Sequence, residues 1–470
     1  MGEYEVYTYI SSLPARNPSP TTTTPHQLYN LLATLNLQTH HHDHPPHPPL
    51  PNPAPPTPLR APFPHPPPPS PNRPPQPPLP FPRTPHITLH LKREDHSSPL
   101  TNSGNKYRKL EYLIPDILSA HPQHGGLAPG PAHGTASPPT STSQPPQRTT
   151  TLVTEGAIQS NHTIQVAAVA NHLGLETVVV LHKGAGGGLS ASTDKEAFLR
   201  TGNVQIAGLL GAEVRVVDSS TIAIAIASGK GEGEKESVVS RVLEELRAKG
   251  KNPYWIPSGA SLHPLGGLGY ARCAVEIAAQ ERGRDIEGGR RVDYVFVACG
   301  SGSTVGGLIA GFKLLEKMER EEEKVTQRPP RKVIGIIISP TQSLACHQER
   351  VLGFARQAAG LIGLDPQREV SMDDVILDDR FAGTRYGVLD AETKEALTLM
   401  ARKEAVMLDP VYTAKVFRGM KHWVQEGELA RDWTARVGAS SGYGHDQERV
   451  NALLMHTGGQ SALSAYADVE

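Results

Sequence analysis

The chain has 470 residues, with 46 basic and 47 acidic side chains, a formal net charge of −1 and a pI near 7.1. This length favours two domains, and the balanced charge excludes the basic surface expected of a nucleic-acid-binding protein. Its three cysteines are too few and too scattered for a disulfide framework or a zinc site, as is typical of a reducing compartment. We therefore expect a cytoplasmic protein with a small substrate and no metal site.

The first 85 residues differ in composition from the rest. Residues 18–85 are dominated by proline, histidine, threonine and asparagine, with a histidine run at 40–42 and four prolines at 66–69. Proline removes backbone donors and favours polyproline geometry, so residues 1–85 are predicted to be a disordered extension. A tolerated extension is the favoured interpretation, and the alternatives are a ligand for an SH3 or WW-type domain or a histidine-rich metal tract.

No sequence feature predicts membrane insertion. Residues 1–12 lack a basic segment followed by an apolar one, and no apolar run approaches the length of a membrane span. Strand-like patterns occur at 87–91, 150–154, 177–181 and 213–217, and again at 254–256, 292–298, 332–338 and 453–456, with helical patterns between them. This alternation predicts an α/β fold with parallel sheets, and ordered structure is expected to begin near Ile87.

One stretch, residues 103–113, runs from a Ser-Gly-Asn loop into a helix. Lys106 stands at the helix start, with Arg108 and Lys109 behind it. A lysine in this setting can lose its proton more easily than a solvated lysine and can then bind a carbonyl. Taken alone, Lys106 is more simply explained as one solvated lysine on a basic helix face.

Four other stretches strengthen the case for chemistry. They are residues 156–163 (Gly-Ala-Ile-Gln-Ser-Asn-His-Thr), 300–307 (Gly-Ser-Gly-Ser-Thr-Val-Gly-Gly), 409–413 (Asp-Pro-Val-Tyr-Thr) and 456–459 (His-Thr-Gly-Gly). With the lysine loop, and in this order, they resemble the aminocyclopropane-carboxylate deaminases and D-cysteine desulfhydrases, which use pyridoxal 5'-phosphate (PLP). The resemblance extends over residues 86–468.

The resemblance implies the two-domain, three-layer αβα architecture of fold type II PLP enzymes, similar to the tryptophan synthase β subunit. The larger, PLP-binding domain would comprise residues 86–108 and 258–470, and the smaller α/β domain residues 109–257, with the active site in the cleft between them. Residues 121–148 and 433–449 would be surface insertions. Family members are homodimers or higher homo-oligomers.

The resemblance also implies roles for individual residues. Lys106 would hold PLP as a Schiff base and carry the substrate's α-proton, and Ser301–Thr304 would form a phosphate-binding turn at a helix N-terminus. The implied catalytic residues are Lys106, Ser160, Tyr386 and Tyr412. The implied cofactor-binding residues are Asn105, Lys106, Ser301, Gly302, Ser303, Thr304, Tyr412 and Thr413. The implied substrate-binding residues are Ser160, Asn161, His162, Thr457 and Gly458.

Each of these stretches has a plainer structural explanation. Residues 300–304 could be an ordinary glycine-rich turn after a strand, Ser160 and Asn161 could cap a helix, and the two tyrosines could be half-buried core residues. The five motifs in register favour the functional interpretation. Retention of the lysine, serine and tyrosines together also speaks against a third possibility, a non-catalytic PLP-binding or scaffold protein.

Thr413 and Thr457 bear on which reaction is catalysed. The deaminases of the family have glutamate and leucine at these positions, whereas the desulfhydrases have threonine at both. A carboxylate beside the ring nitrogen of PLP keeps that nitrogen protonated, whereas a hydroxyl lets it stay neutral, which is adequate when thiolate is the leaving group. The sequence therefore favours elimination from D-cysteine, with ring-opening deamination as the alternative. Ser103 and Ile164 depart from the family pattern, which bears on the substrate more than on the cofactor.

Overall fold

The computed structural model describes residues 6–9, 85–125, 147–183, 202–218, 238–282, 291–321, 328–438 and 449–466. Most of the predicted N-terminal extension, the centre of the predicted 121–148 insertion and residues 439–448 lie outside these ranges. Within them the chain forms two parallel β-sheets covered by helices.

In the described part of the chain, the larger sheet has six strands, all paired in parallel. Its spatial order is β1 (Val6–Tyr9), β2 (His86–Arg93), β10 (Arg449–His456), β7 (Tyr294–Cys299), β8 (Lys332–Ile337) and β9 (Ile376–Asp378). The sequence patterns of β2, β7, β8 and β10 predicted these strands correctly. The three-residue β9 was not predicted.

The smaller sheet has four described strands, which are also parallel. Its spatial order is β5 (Glu213–Asp218), β4 (Glu176–Lys183), β3 (Thr151–Ala157) and β6 (Pro253–Ile256). All four correspond to predicted strands. The described strands of the smaller sheet thus come from residues 151–256, and the domain boundaries near residues 108 and 258 stay a prediction.

Helices follow most strands along the chain. They are α1 (Asn105–Ile117), α2 (Asn161–Leu173), α3 (Gly202–Leu209), α4 (Val238–Ala248), α5 (Leu268–Arg282), α6 (Ser303–Glu321), α7 (Leu344–Leu361), α8 (Pro366–Glu369), α9 (Ala391–Glu404), α10 (Thr413–Gln425) and α11 (Glu428–Gly438). Short 3-10 turns include Ser258–Ala260 and Gln460–Tyr466.

The larger sheet is the middle layer of three, with helices packed on both of its faces, and its strands are apolar on both faces. In β7, Val295 and Val297 pack with α5, α6 and α7, whereas Tyr294 and Phe296 pack with α9, α10 and α11. Side chains alternate between the faces of a strand, so a continuous apolar run of this kind is typical of a buried parallel sheet. The chain therefore has the three-layer αβα architecture of fold type II PLP enzymes.

The structure corrects two expectations about the chain. Residues 433–438 are not part of a surface insertion, because they complete α11 and Trp433 is buried in the core beside the larger sheet. An indole that fills a core gives the helix a packing reason to continue past Trp433. In addition, β1 pairs with β2, so ordered structure does not begin at Ile87 and the 1–85 extension contains an edge strand.

The start of the predicted 121–148 insertion is fixed to the fold. Asp116 accepts hydrogen bonds from the main-chain nitrogens of Gln123 (2.7 Å) and His124 (3.1 Å), and Trp255 donates to the Gly125 carbonyl (3.0 Å). These bonds hold the segment against β6. Residues 126–146 of the predicted insertion lie outside the described ranges.

Candidate active site

Four of the five predicted functional stretches follow the carboxyl ends of strands in the two sheets. The lysine loop follows β2, Ser160 follows β3, the 300–304 turn follows β7 and Thr457 follows β10. Ligands of open α/β folds bind at this edge, because the loops there converge. The two sheets thus bring distant parts of the sequence to one cleft.

The helix that carries Lys106 is held at its first turn by groups from elsewhere in the chain. Gln165 on α2 accepts hydrogen bonds through Oε1 from the main-chain nitrogens of Lys106 (3.0 Å) and Tyr107 (3.1 Å). The main-chain nitrogen of Asn105 donates to the Thr457 carbonyl (3.2 Å), and Gly104 pairs with Gly458. These bonds satisfy helix-start donors that would otherwise lack a partner. Gln165 was not predicted, because it lies within an Ala/Val-rich helix.

Lys106 and Lys109 form a pair of lysines one helical turn apart. The Lys109 side chain is completely buried, and its Nζ donates to the Ser303 hydroxyl (2.7 Å) and to the Gly259 carbonyl (3.1 Å). Burial lowers the pKa of Lys106 to about 8, and contact with the Lys109 amine acts in the opposite direction. Burial, and then the charge of Lys106, lower the pKa of Lys109 well below its ordinary value. Near neutral pH an appreciable fraction of Lys106 is therefore the neutral amine that can attack a carbonyl.

Hydroxyl groups surround the Lys109 amine. Ser303 lies at the start of α6, where its Oγ contacts Ser261 Oγ (3.1 Å), and Ser261 also hydrogen-bonds to Ser301. Gly302 has φ +102°, a left-handed conformation that favours glycine. A Cβ there would meet a Val351 methyl at 2.9 Å. The predicted turn is thus compact and rich in donors, and the structure adds Lys109 and Ser261 to it.

His162 lies behind the two lysines. It is buried, and its Nε2 is 2.9 Å from the Thr154 hydroxyl on β3. Burial and the charges of Lys106 and Lys109 lower its pKa well below the ordinary value, so His162 is neutral. The structure thus places this predicted residue close to the lysine pair.

Ser160 and Asn161 form the turn into α2. Ser160 is the N-cap and accepts a hydrogen bond from the main-chain nitrogen of His162 (3.3 Å). Both side chains are buried at the positive end of the helix, which is a favourable position for a carboxylate. The capping explanation is therefore correct for Ser160, and it leaves room for a role in binding.

Two tyrosine hydroxyls meet near the turn that carries Ser160, since Tyr386 and Tyr412 pack in one cluster with Ile158. Tyr386 and Tyr412 share a hydrogen bond and their rings contact edge to face, with centroids 6.0 Å apart. Burial raises the pKa of both phenols above the ordinary value, so both remain protonated at neutral pH. Because one hydroxyl donates its hydrogen to the other, one phenolic hydrogen remains for another acceptor.

Thr413 is completely buried next to the tyrosines, at the start of α10. Its hydroxyl donates to Asp409 Oδ1 (2.7 Å) and accepts from the Asp409 main-chain nitrogen (2.7 Å). Burial raises the pKa of Asp409, although three main-chain donors and Thr413 oppose that change. The Thr413 proton is thus committed to Asp409. Thr457 and Gly458 lie nearby, through the contacts of Gly459 with Asp409 and Asn161.

These residues fit PLP. The Gly302 turn, the serine hydroxyls and the Lys109 ammonium can hold a phosphate, and the Lys106 amine is close by, because a Cβ at Gly259 would lie 3.3 Å from Ser301 Oγ and 3.7 Å from Lys106 Nζ. Thr304 is buried at the start of α6, in the same turn as Gly302.

In the described residues no cluster of His, Cys, Asp and Glu fits a metal ion, and no helix could cross a bilayer.

Known proteins are similar to this chain in sequence and in fold. The sequence model described as pyridoxal-phosphate dependent enzyme matches residues 73–439. A 1-aminocyclopropane-1-carboxylate deaminase of Burkholderia multivorans is 36% identical over 82% of this chain and 90% of its own length. The enzyme of the same name from Methylobacterium nodulans is 36% identical over 81% and 89%. The crystal structure of an ACC deaminase homologue, 27% identical, covers 81% of this chain and 87% of its own with a TM-score of 0.56. The chain therefore belongs to the family of pyridoxal-phosphate dependent enzymes.

Proposed function

We propose that this protein is a lyase that deaminates a small α-amino acid and releases a 2-oxo acid and ammonia. The observation that carries the proposal is the convergence of a Lys106 amine of lowered pKa, a phosphate-sized turn and two protonated tyrosines. The turn is formed by the hydroxyls of Ser301 and Ser303 with Lys109 at its back. Bound PLP supplies a ring that stabilises negative charge at the substrate's α-carbon.

The chain's own residues then divide the remaining tasks. Lys106 anchors the cofactor and moves a proton at Nζ, and Lys109 with the serine hydroxyls holds the phosphate. Ser160 and Asn161, at the start of α2, bind the substrate carboxylate. Tyr386 and Tyr412 share a proton network that can protonate a developing carbanion or leaving group. Asn105, Thr457 and Gly458 fix the lysine loop against the larger sheet.

Ring opening of 1-aminocyclopropane-1-carboxylate is the first candidate reaction. It is the activity named for relatives 34–36% identical to this chain over most of its length. This reverses the order that the sequence analysis favoured. Ring opening would release 2-oxobutanoate and ammonia.

Elimination from D-cysteine, or from a related β-substituted alanine, is the second candidate, because of Thr413 and Thr457. Position 413 carries a hydroxyl, bonded to Asp409, and not the carboxylate that would keep a ring nitrogen protonated. Such a site suits a substrate whose β-carbon already bears a good leaving group, and the products would be pyruvate, ammonia and sulfide.

The experiment is a side-by-side assay of the PLP-loaded protein. Pyruvate release is measured with D-cysteine and L-cysteine, and 2-oxobutanoate release with aminocyclopropane-carboxylate. A higher kcat/KM for the cyclopropane supports the first candidate, and preference for D-cysteine supports the second. The double variant Thr413→Glu/Thr457→Leu should raise the ratio of ring opening to elimination in either case. Absence of a 2-oxo acid from all three substrates would contradict both candidates.

A further inference from the structure

Asn203, the second residue of α3, joins three parts of the chain beside the candidate active site. Its side chain is 5% exposed. Nδ2 donates to the Gln159 carbonyl (2.8 Å) and to Asn161 Oδ1 (3.0 Å), and Oδ1 accepts from the Ser461 hydroxyl (2.6 Å). Asn203 therefore contacts the turn that carries Ser160 and the 3-10 segment near the end of the chain.

These contacts determine which way the Asn203 amide is turned. A main-chain carbonyl can only accept a hydrogen bond, so the group of Asn203 that faces Gln159 must be the NH2 group. The Ser461 hydroxyl can donate or accept, and it therefore adapts to the carbonyl oxygen on the other side. The orientation of the Asn203 amide is thus set by the main-chain carbonyl of Gln159, in the turn that follows β3.

The orientation of Asn203 in turn determines that of Asn161. The second N–H of Asn203 requires an acceptor, so Asn161 must present Oδ1 to it, and its Nδ2 must point the other way. That direction leads to the turn after Thr457, since a Cβ placed on Gly459 would lie 2.7 Å from Asn161 Nδ2. The donor of Asn161 is therefore held on the side where the two sheets meet.

We propose that Asn203 is a positioning residue that keeps the Asn161 amide nitrogen, and not its oxygen, turned toward the substrate carboxylate. The inference rests on the proposed function, because it assigns Asn161 to carboxylate binding. An N–H attracts a carboxylate, whereas an amide oxygen in the same place repels it. The effect of Asn203 should thus depend on whether the ligand has a carboxylate.

The test compares two amine ligands on PLP-loaded protein by absorbance titration. Alanine, as the D and L forms, has a carboxylate and no β-leaving group, and ethylamine has the amine alone. Asn203→Asp keeps the side-chain volume but replaces the donor by an oxygen, which reverses the Asn161 amide. We expect alanine to bind about ten- to a hundredfold more weakly, with ethylamine affinity changed less than threefold.

Two further variants separate orientation from packing. Asn203→Ala removes the donor without adding a competing acceptor, so we expect a smaller loss of alanine affinity than for Asn203→Asp. Ser461→Ala leaves the Gln159 carbonyl to fix the amide, and we expect less than a threefold change. If Asn203→Asp does not fold, Asn203→Ala compared with Ser461→Ala still gives the alanine-to-ethylamine ratio.

The outcomes distinguish the two proposals. Equal weakening of alanine and ethylamine, or a larger effect of Asn203→Ala than of Asn203→Asp, would show a packing role and overturn the inference. A wild-type protein that binds PLP but responds to neither amine would contradict the proposed function, and the inference with it. A selective loss of alanine binding, accompanied by a rise in substrate KM with kcat less affected, would support it.

Discussion

Two buried cation clusters lie on opposite sides of α1, and they differ in what neutralises their charge. On one side, Lys109 donates to a hydroxyl and a carbonyl, Lys106 contacts the Lys109 amine, and among the described residues neither lysine forms an ion pair. On the other side, Lys92 and Arg108 are paired with Glu94 and Glu276 at 2.6–2.8 Å. Arg108 and Lys109 are neighbours in sequence but belong to different clusters.

The pKa shifts follow this difference. For Lys92 and Arg108, burial acts to lower the pKa, but nearby negative groups outweigh it and both values rise. Burial also acts to raise the pKa of Glu276, yet the two cations lower it to about 2. In the lysine pair no carboxylate compensates, so burial prevails and the pKa values fall. The ion cluster is complete in itself and anchors α1, whereas under the proposed function the cofactor phosphate would supply the missing anion beside Lys109.

The largest effect is expected from Lys106→Ala, which removes the amine that binds the cofactor's carbonyl. Release of 2-oxo acid should fall by about a thousandfold or more, because both the anchor and the proton carrier are lost. The measurement is steady-state turnover with saturating PLP. Lys249→Ala, at an exposed ion pair with Glu245, is the control and should leave turnover unchanged. Retention of activity in Lys106→Ala would place the chemistry on another residue.

Glu276→Gln tests the ion cluster formed by Lys92, Arg108, Glu94 and Glu276 beside α1. Because it leaves Arg108 and Lys92 buried without their shared carboxylate, we expect a loss of about 3–5 kcal/mol in the free energy of unfolding. Urea or thermal unfolding measures the loss. The matched control is Glu111→Gln, which breaks an exposed pair between the same two helices, with Arg272, and should cost less than about 1 kcal/mol. Similar losses for the two variants would show that burial does not distinguish them.

The sequence predicted both sheets and most of the cleft because local patterns encode them. Alternating and continuous apolar runs identify buried strands, and loops at the carboxyl ends of parallel strands meet at one edge whatever their separation in sequence. The lysine loop and the 300–304 turn were identified by their resemblance to a known family, and their positions after parallel strands bring them to the same edge. Strand β9, with three residues, is too short for a periodic signal.

The residues that the sequence did not predict act through distant contacts. Gln165 lies in an apolar helix and Ser261 in a loop, and neither has a local pattern that indicates chemistry. Asn203 forms hydrogen bonds with Gln159, Asn161 and Ser461, which are 42 to 258 residues away in sequence. The segment from Trp433 was misjudged for a related reason, because its core contact depends on a helix packed against the larger sheet. Such roles become visible only when the sheets are assembled.

The Lys109→Met substitution should not destabilise the protein without PLP but should weaken the binding of PLP. Without PLP the variant removes a buried amine that has no carboxylate partner among the described residues, so we expect the apoprotein to be as stable as the wild type or more stable. With PLP it removes a charge-assisted bond to phosphate, and PLP affinity should fall by about tenfold or more. Fluorescence titration gives the affinity, and thermal unfolding with and without PLP gives the stability. Lys249→Met should change neither. A variant that destabilises the apoprotein as much as it weakens PLP binding would indicate that Lys109 only supports the fold.

The smallest expected effect is a pH dependence of the apoprotein's stability. The pKa of Lys106 falls from 10.5 to about 8 on folding, so between those values the unfolded chain binds more protons than the folded one, and stability rises with pH. Solvent screening at the half-buried lysine should limit the gain to about 1 kcal/mol, or a few degrees in Tm. Thermal unfolding from pH 7.5 to 10 measures it, and Lys106→Met should flatten the profile. Bound phosphate should flatten the wild-type profile as well, because an anion beside the pair favours the protonated lysines. If the Lys106→Met profile instead matches that of the wild type, Lys106 would not be the source of the pH dependence.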